Sequence, residues 1–186
     1  FLKIIVRQAS QLESIIRDLL ELSRLEQSSA QTLDRQATPL AGILKNAAEL
    51  CQARAVERGV TISVSCEEGL IADVHAGLLE QAIINLVDNA IKYGAIPEQP
   101  VVQIDARRKD GAVIISVRDS GNGIERRHLD RLFERFYRVD KGRSRELGGT
   151  GLGLAIVKHI VLIHKGTVTV ESEPGLGTTF TILIPA

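Results

Sequence analysis

The segment Gly148-Gly149-Thr150-Gly151-Leu152-Gly153-Leu154 opens an apolar stretch that runs to Ile163. Four glycines in six residues would cost a helix too much backbone entropy, so the segment predicts a turn that leads into the helix after it. Such a turn presents bare backbone N–H groups and a positive helix end, which together favour an anion such as phosphate. A flexible hinge would have the same composition, and the segment alone leaves both interpretations open.

A polar cluster lies upstream, on a helix predicted over 78–93. Asn85 and Asn89 lie four residues apart, hence on one helical face, and Lys92 follows one turn later. Asparagine is a mediocre helix former, so this face suggests binding. Amide oxygens can bind Mg²⁺ that keeps its waters, and lysine can contact phosphate. A solvated polar face is the alternative. The opposite face is apolar: Ile83, Leu86, Val87 and Ala90.

A third cluster, Asp119-Ser120-Gly121-Asn122-Gly123, follows a strand predicted over 112–117. A carboxylate at a strand end can accept a hydrogen bond from an amine such as N6 of adenine, and the glycines would let the backbone pass close to a flat ring. An ordinary Asp-Ser-Gly-Asn turn is the alternative. A Rossmann turn requires the pattern GxGxxG. The position of its third glycine is occupied by Arg126 after Gly121 and Gly123, and by Leu154 after Gly149 and Gly151, so a Rossmann turn is excluded. The sequence also contains no GxxxxGK[ST], which excludes a P-loop.

The stretch 132–138 holds three of the six aromatic residues of the chain. Phe133 and Phe136 could anchor one edge of a loop, and the stretch 139–148 predicts a flexible lid. A solvated surface loop is the alternative for its cations, Lys141, Arg143 and Arg145.

The first 27 residues predict one long amphipathic helix. Small or apolar side chains recur at alternating spacings of three and four, at Leu2, Ile5, Ala9, Leu12, Ile16, Leu19 and Ser23. A helix of this length spans about 40 Å, so we expect it to join a four-helix bundle with a partner chain. A solitary helix packed on its own domain is the alternative.

Helical and strand patterns are mixed along the rest of the chain. Thr38-Pro39 predicts a helix cap with proline at the first helical position. Further helices are predicted over 78–93 and 152–163, and strands over 60–64, 101–106, 112–117, 167–170 and 179–184. This mixture predicts an α+β fold, a two-layer sandwich rather than a doubly wound parallel sheet.

Composition limits the function classes. Lys plus Arg and Asp plus Glu each number 23, so no large basic field is available for nucleic acid. Aromatic content is 3%, which disfavours stacking on single strands. We expect an intracellular, soluble protein without a membrane span or signal peptide. Cys51 and Cys66 are expected to be reduced thiols rather than a metal site or disulfide.

Together and in this order, the clusters resemble those of sensor histidine kinases of two-component signalling. The N box, first glycine box, F box, second glycine box and a last, weaker glycine motif correspond to 85–93, 119–123, 133–136, 149–153 and 175–178. The resemblance covers residues 36–186 and implies the Bergerat ATP-binding sandwich of the GHKL superfamily.

The resemblance implies ATP and Mg²⁺ as ligands. Asn89 would bind Mg²⁺, with Asn85 nearby, while Lys92 and Tyr93 would face the phosphates. Asp119 would read the adenine amine, and Arg138 would approach the terminal phosphate. Asn85, Lys92 and Arg138 would serve catalysis. The other implied nucleotide-binding residues are Gly121, Gly123, Ile124, Phe133, Phe136, Gly149, Thr150, Gly151, Leu152, Gly153, Leu154 and Thr178.

The resemblance also implies the domain organisation and partners. Residues 1–29 resemble the second helix of a dimerisation and histidine-phosphotransfer domain, 30–38 a linker, and 39–186 the catalytic ATP-binding domain. The implied partners are a second copy, through the helix bundle, and a response-regulator receiver domain. The implied localisation is the cytoplasm. The full-length kinase could be anchored in the membrane through regions outside this sequence. The histidines lack the context of a phosphoacceptor, so we expect a fragment that binds ATP without its own acceptor; they are His75, His128, His159 and His164.

Two other functions remain to be weighed. Hydrolytic GHKL ATPases place a glutamate, as general base, one turn before the metal-binding asparagine. Asn85 holds that place here and cannot take a proton, which favours transfer to a protein. A non-catalytic nucleotide-binding or dimerisation module is the third possibility, and the intact Asn89, Asp119 and glycine clusters argue against it.

Overall fold

The computed structural model describes residues 2–27, 33–94, 100–139 and 149–185. Its helices are α1 (Leu2–Gln27), α2 (Leu40–Glu57), α3 (Ala76–Tyr93), α4 (Arg126–Leu129) and α5 (Gly153–Ile163). Its strands are β1 (Gln36–Pro39), β2 (Thr61–Cys66), β3 (Ile71–Val74), β4 (Val101–Lys109), β5 (Ala112–Asp119), β6 (Thr167–Glu173) and β7 (Gly177–Pro185).

The main sheet has five strands in the order β2-β4-β5-β7-β6. The β2–β4 pair is parallel and the other three pairs are antiparallel. Side chains alternate along β5, so Val113, Ile115 and Val117 are buried on one face. That face packs against helices, which confirms the predicted α+β two-layer sandwich.

Helix α3 is the central helix of the second layer. It packs between α2 and α5 and over β5. Its apolar stripe is fully buried, as Leu86 and Val87 illustrate. Burial of this stripe fixes the rotation of α3 about its axis, and therefore fixes where its polar face points.

Helix α1 packs against α5 through its C-terminal part, where Leu22 and Leu25 are buried. Towards its N-terminus Val6, Leu12 and Ile16 are exposed. The helix therefore lies on its own domain at one end, and its role in a bundle remains a prediction. Within the described ranges, no helix is both long enough and apolar enough to span a bilayer.

The start of α2 differs from the sequence prediction. Thr38 and Pro39 belong to β1, which pairs antiparallel with β3, and the helix begins at Leu40. The Thr38 hydroxyl donates to the Gln36 carbonyl oxygen (2.8 Å) instead of capping the helix. Residues 36–38 of the predicted linker are thus strand. Two strands of four residues are too short for a clear alternation, and only their mutual pairing defines them.

Candidate functional site

A cavity of about 370 Å³ opens between α3, the turn after β5, the segment after α4 and the start of α5. Most of the predicted site residues line it, although they are spread over half of the sequence. The predicted residues in its lining are Asn85, Asn89, Lys92, Tyr93, Asp119, Gly123, Ile124, Arg138, Gly149, Thr150, Gly151, Gly153, Leu154 and Thr178.

The polar face of α3 forms one wall of this cavity. Asn85, Asn89 and Lys92 line it, whereas Leu86 and Val87 point into the core. The Nδ2 atom of Asn85 is buried and has no hydrogen-bond partner among the described residues. A buried donor without a partner costs free energy, so this wall is suited to a polar ligand that accepts hydrogen bonds.

Asp88 lines the same wall, and the sequence analysis missed it. Its carboxylate contacts Lys92 (Oδ2 to Nζ, 2.6 Å) and Arg54 of α2 (Oδ1 to Nε, 2.8 Å). The four-residue spacing to Lys92 was a usable signal, but the contact with Arg54 depends on how α2 packs on α3. Asp88 is therefore held between two cations.

Asp119 ends β5, lines the cavity and is only 8% exposed. Its Oδ1 accepts from the Gly121 N–H (2.8 Å), and the Thr178 N–H also donates to the carboxylate. Burial raises the pKa of Asp119, and these two backbone hydrogen bonds oppose that rise. The site thus holds a nearly buried acceptor in a defined orientation.

Gly121 lies against the end of α3. A Cβ atom at this position would lie 2.4 Å from the Gly94 Cα atom and 2.9 Å from the Tyr93 carbonyl oxygen. The close approach that requires glycine here is therefore to the end of α3, within the chain itself. Gly121 does not line the cavity and acts through the backbone that orients Asp119.

The two F-box aromatics differ in position, and neither lines the cavity. Phe133 packs edge-to-face on Phe180, with ring centroids 6.2 Å apart, and Phe180 does line it. Phe136 is 56% exposed, and its N–H donates to the Gly151 carbonyl oxygen (2.8 Å). Phe133 therefore supports a ring that lines the cavity, and Phe136 connects its own segment to the glycine-rich turn through a backbone hydrogen bond.

Arg138 places a cation in the wall near these aromatics. Its Nε and Nη2 atoms are buried and have no hydrogen-bond partner among the described residues. A guanidinium group with unused buried donors favours an anion beside it, and phosphate oxygens suit its planar fork.

The glycine-rich turn closes the cavity on the side of α5. Gly151 has φ +75°, and a Cβ there would lie 2.9 Å from the Phe136 backbone. Leu152, another predicted nucleotide-binding residue, is fully buried in the core. It supports the turn and does not line the cavity. The Leu152 N–H donates to the Thr150 hydroxyl (3.2 Å). The proposed lid cations fall in 140–148, outside the described residues.

Helix α1 also contributes to the cavity, which the sequence analysis did not foresee. Ser14 and Asp18 line it, and Asp18 Oδ2 accepts from the Thr150 hydroxyl (2.6 Å). No local pattern relates residues this far apart in the chain. The other lining residues that the analysis missed are Asn122, Leu132, Tyr137, Val139 and Phe180.

Comparison with known proteins identifies the family of the chain. The family model described as "Histidine kinase-, DNA gyrase B-, and HSP90-like ATPase" matches residues 74–186, more than half of the chain. The chain is 41% identical over 185 residues to the sensor-like histidine kinase SenX3 of Mycolicibacterium smegmatis. That match covers 100% of the chain and 47% of SenX3, so the chain spans about half the length of this relative.

Solved structures share the fold. Full-length ShkA in complex with AMPPNP superposes with a TM-score of 0.81 at 32% identity, over 98% of this chain and 37% of that one. The histidine kinase ThkA in complex with the response regulator TrrA superposes with a TM-score of 0.75 over 98% of this chain and 49% of that one. At 23% identity, the second likeness shows the fold alone. The chain therefore belongs to the histidine kinase-, DNA gyrase B- and HSP90-like ATPase family, as the ATP-binding catalytic domain of a sensor histidine kinase.

Proposed function

We propose that this chain binds Mg-ATP in the cavity and transfers the γ-phosphoryl group to a histidine outside this sequence, for onward transfer to a response-regulator aspartate. The observation that carries the proposal is the gathering of Asn85, Asn89, Asp119 and Arg138 around one cavity, where two of them have buried donors without a described partner. Phosphoryl transfer needs positioning and charge neutralisation, and these groups are suited to both.

The arrangement of the groups orients the nucleotide. Asp119 is the nearly buried acceptor, so it takes the adenine amine. Lys92 and Arg138 are cations in the lining, so they take the phosphates. The N-terminal end of α5, beside Thr150, adds backbone N–H groups for the same charge.

The chemistry of the residues fits Mg²⁺. The described residues contain no cluster of three His, Cys, Asp or Glu side chains that could hold a metal alone. Asn89 and Asn85 offer amide oxygens in the lining, which suits an ion that keeps its waters and shares phosphate oxygens. When bound, Mg²⁺ would neutralise charge on the triphosphate, and Asn89 would be its protein ligand.

The alternative of ATP hydrolysis lacks the expected glutamate general base among the described lining residues. Their carboxylates belong to Asp18, Asp88 and Asp119. Asp18 accepts from Thr150, Asp88 is paired with two cations, and Asp119 accepts from backbone N–H groups. None of them is a glutamate one turn before Asn89, and Asn85, which holds that place, cannot take a proton.

The four histidines are engaged in structural contacts, which supports an acceptor elsewhere. His75 Nδ1 accepts from the Leu78 N–H, and His128 shares a hydrogen bond with the Tyr137 hydroxyl. His159 donates to a carbonyl oxygen of α1, and His164 is buried.

A homodimer through α1, a response-regulator partner and a cytoplasmic place belong to the same proposal. The exposed apolar side chains in the N-terminal part of α1, such as Leu12 and Ile16, support an association through that helix. The likeness to ThkA, which was solved in complex with the response regulator TrrA, supports a response regulator as partner.

Calorimetric titration of the chain with Mg-ATP and Mg-ADP tests the proposal. Arg138→Gln should weaken ATP binding more than ADP binding, because the guanidinium faces the terminal phosphate. Arg127→Gln, which alters an exposed arginine paired with Glu125, is the matched control and should change neither affinity. Equal losses for both nucleotides would remove Arg138 from the terminal phosphate, and absence of nucleotide binding would overturn the proposal.

Labelled ATP then tests the direction of transfer. With Mg-ATP the chain itself should stay unlabelled on histidine, while an added phosphoacceptor helix pair from the parent kinase should become labelled. Stable labelling of His75, His128, His159 or His164 would contradict this assignment, and rapid hydrolysis without an acceptor would favour the ATPase alternative.

A further inference from the structure

Asp18 of α1 reaches the start of α5 through one hydroxyl group. Its Oδ2 accepts from the Thr150 hydroxyl (2.6 Å), and that hydroxyl oxygen accepts from the Leu152 N–H (3.2 Å). Leu152 is the residue immediately before the first turn of α5. A carboxylate is thus linked, by a single relay, to the end of the helix that carries unpaired N–H groups and partial positive charge.

The position of Asp18 is determined by the way in which α1 packs. Leu22 and Leu25, one and two turns further along α1, are buried against the catalytic domain. The Leu25 carbonyl oxygen accepts from His159 Nε2 (2.8 Å), and Glu26 pairs with Arg135. These contacts hold the C-terminal part of α1 in place, and so present Asp18 and Ser14 to the cavity.

The end of α5 that Asp18 approaches is the end that the proposed function assigns to the phosphates. Negative charge at a helix N-terminus is favourable, but a second anion close by must overcome repulsion from the first. Release of Thr150 would also free its hydroxyl and the adjacent N–H for a phosphate oxygen.

We propose that Asp18 is an affinity-determining residue of the nucleotide site, which competes from α1 with the phosphates of the nucleotide. Docking of α1 therefore lowers the affinity of the catalytic domain for nucleotide, and displacement of α1 raises it. This inference rests on the proposed function, because it requires that the phosphates lie at the start of α5.

The test is Asp18→Asn in the whole chain. Asparagine keeps the size of the side chain and can still accept from Thr150, but it removes the charge. Interactions of a charge with a helix end change binding by factors of about two to thirty, so we expect Mg-ATP to bind Asp18→Asn tighter by a factor in that range. Adenosine, which has no phosphate, should bind both forms equally, as measured by NMR titration.

Glu13→Gln is the matched control. It removes the same charge from the same helix, but Glu13 is paired with Arg17 on the helix surface and does not line the cavity. Its affinity for Mg-ATP should equal that of the unaltered chain. Asp18→Ser serves as a second variant with the same expectation as Asp18→Asn, should the asparagine variant fold poorly.

The outcomes separate this inference from the proposed function. Mg-ATP binding by the unaltered chain, with no gain in either Asp18 variant, would overturn the role of Asp18 and leave the proposed function intact. An equal gain for adenosine would also overturn it, because the effect would then not depend on phosphate. If no form bound Mg-ATP, the proposed function and this inference would both fall.

Discussion

Asp119→Asn is the substitution that tests the proposed adenine end of the site most directly. The two side chains have the same shape, but the carboxylate has two acceptor oxygens and the amide has one. In the structure Oδ1 already accepts from the Gly121 N–H (2.8 Å), and the Thr178 N–H donates to the same carboxylate. The asparagine oxygen can serve these backbone groups or the adenine amine, but not both as the carboxylate does.

The expected loss follows from that count. A hydrogen bond to a charged group contributes about 1.5–3 kcal/mol, and a buried donor left without a partner costs about 1–3 kcal/mol. Because the two estimates overlap in part, we expect a loss of about 2–4 kcal/mol in binding free energy. This corresponds to roughly 30- to 1000-fold weaker Mg-ATP binding, since about 1.4 kcal/mol is a tenfold change.

Calorimetry with Mg-ATP and Mg-ITP provides the assay. Inosine carries an oxygen where adenine carries the amine, so the amide that replaces the carboxylate in Asp119→Asn could donate to it. The preference of the chain for ATP over ITP should therefore shrink in the variant. Asp110→Asn, the same chemical change in the exposed turn between β4 and β5, is the control and should leave both affinities unchanged.

The pH dependence provides an independent check. Burial raises the pKa of Asp119, and the proton removes the acceptor that adenine needs. Affinity for Mg-ATP should therefore fall on acidification at a pH above the ordinary titration range of aspartate, and Asp119→Asn should lack this fall. Unchanged ATP affinity in the variant, or an unchanged ratio of ATP to ITP affinity, would refute the reasoning.

Two further predictions concern the turn before α5 and its far end. Gly151→Ala should weaken nucleotide binding at least tenfold, because its Cβ would lie 2.9 Å from the Phe136 backbone at φ +75°. Gly42→Ala, in α2 and with no atom within 4 Å of the new Cβ, is the control and should have little effect in the same titration. Equal effects of the two substitutions would contradict this reasoning. His164 is buried and neutral, donating to the Ile160 carbonyl oxygen and accepting from the His75 N–H (3.0 Å), and burial lowers its pKa. The unfolded chain binds a proton at His164 more readily than the folded chain does. The contribution of His164 to the free energy of unfolding should therefore be complete above about pH 6.5 and be lost as the pH falls below that value, as urea unfolding between pH 7.5 and 5 would show. If His164→Gln had the same dependence of unfolding free energy on pH, the dependence would belong to other groups.

Much of the site could be predicted because the signals are local. Helical periodicity alone places Asn85 and Asn89 on the face opposite Leu86 and Val87, and the structure has that arrangement. A strand that runs into Asp119 places a carboxylate at its end, which the structure also has. These predictions succeeded because spacing along one element determines which side chains share a face.

The predictions that needed correction depended on neighbours distant in sequence. Thr38-Pro39 has the local composition of a helix start, but pairing with β3 makes it strand. The glycine at 121 suggested a ligand close by, and the structure places the end of α3 there. In each case a segment distant in sequence determines the local structure, and the intrinsic propensity of the local residues contains no information about that segment.

The sequence by itself determined the α+β class, the order of the polar clusters and the face on which each lies, because these follow from spacings within single elements. Only the tertiary structure decided that Arg54 reaches Asp88 and that Asp18 reaches Thr150, 132 positions along the chain. Burial of the apolar faces of α1, α2, α3 and α5 selects those neighbours. The hydrophobic effect is non-directional and roughly proportional to the area buried. The spacing of apolar residues therefore shows which face of a helix is buried, but not which other element covers that face.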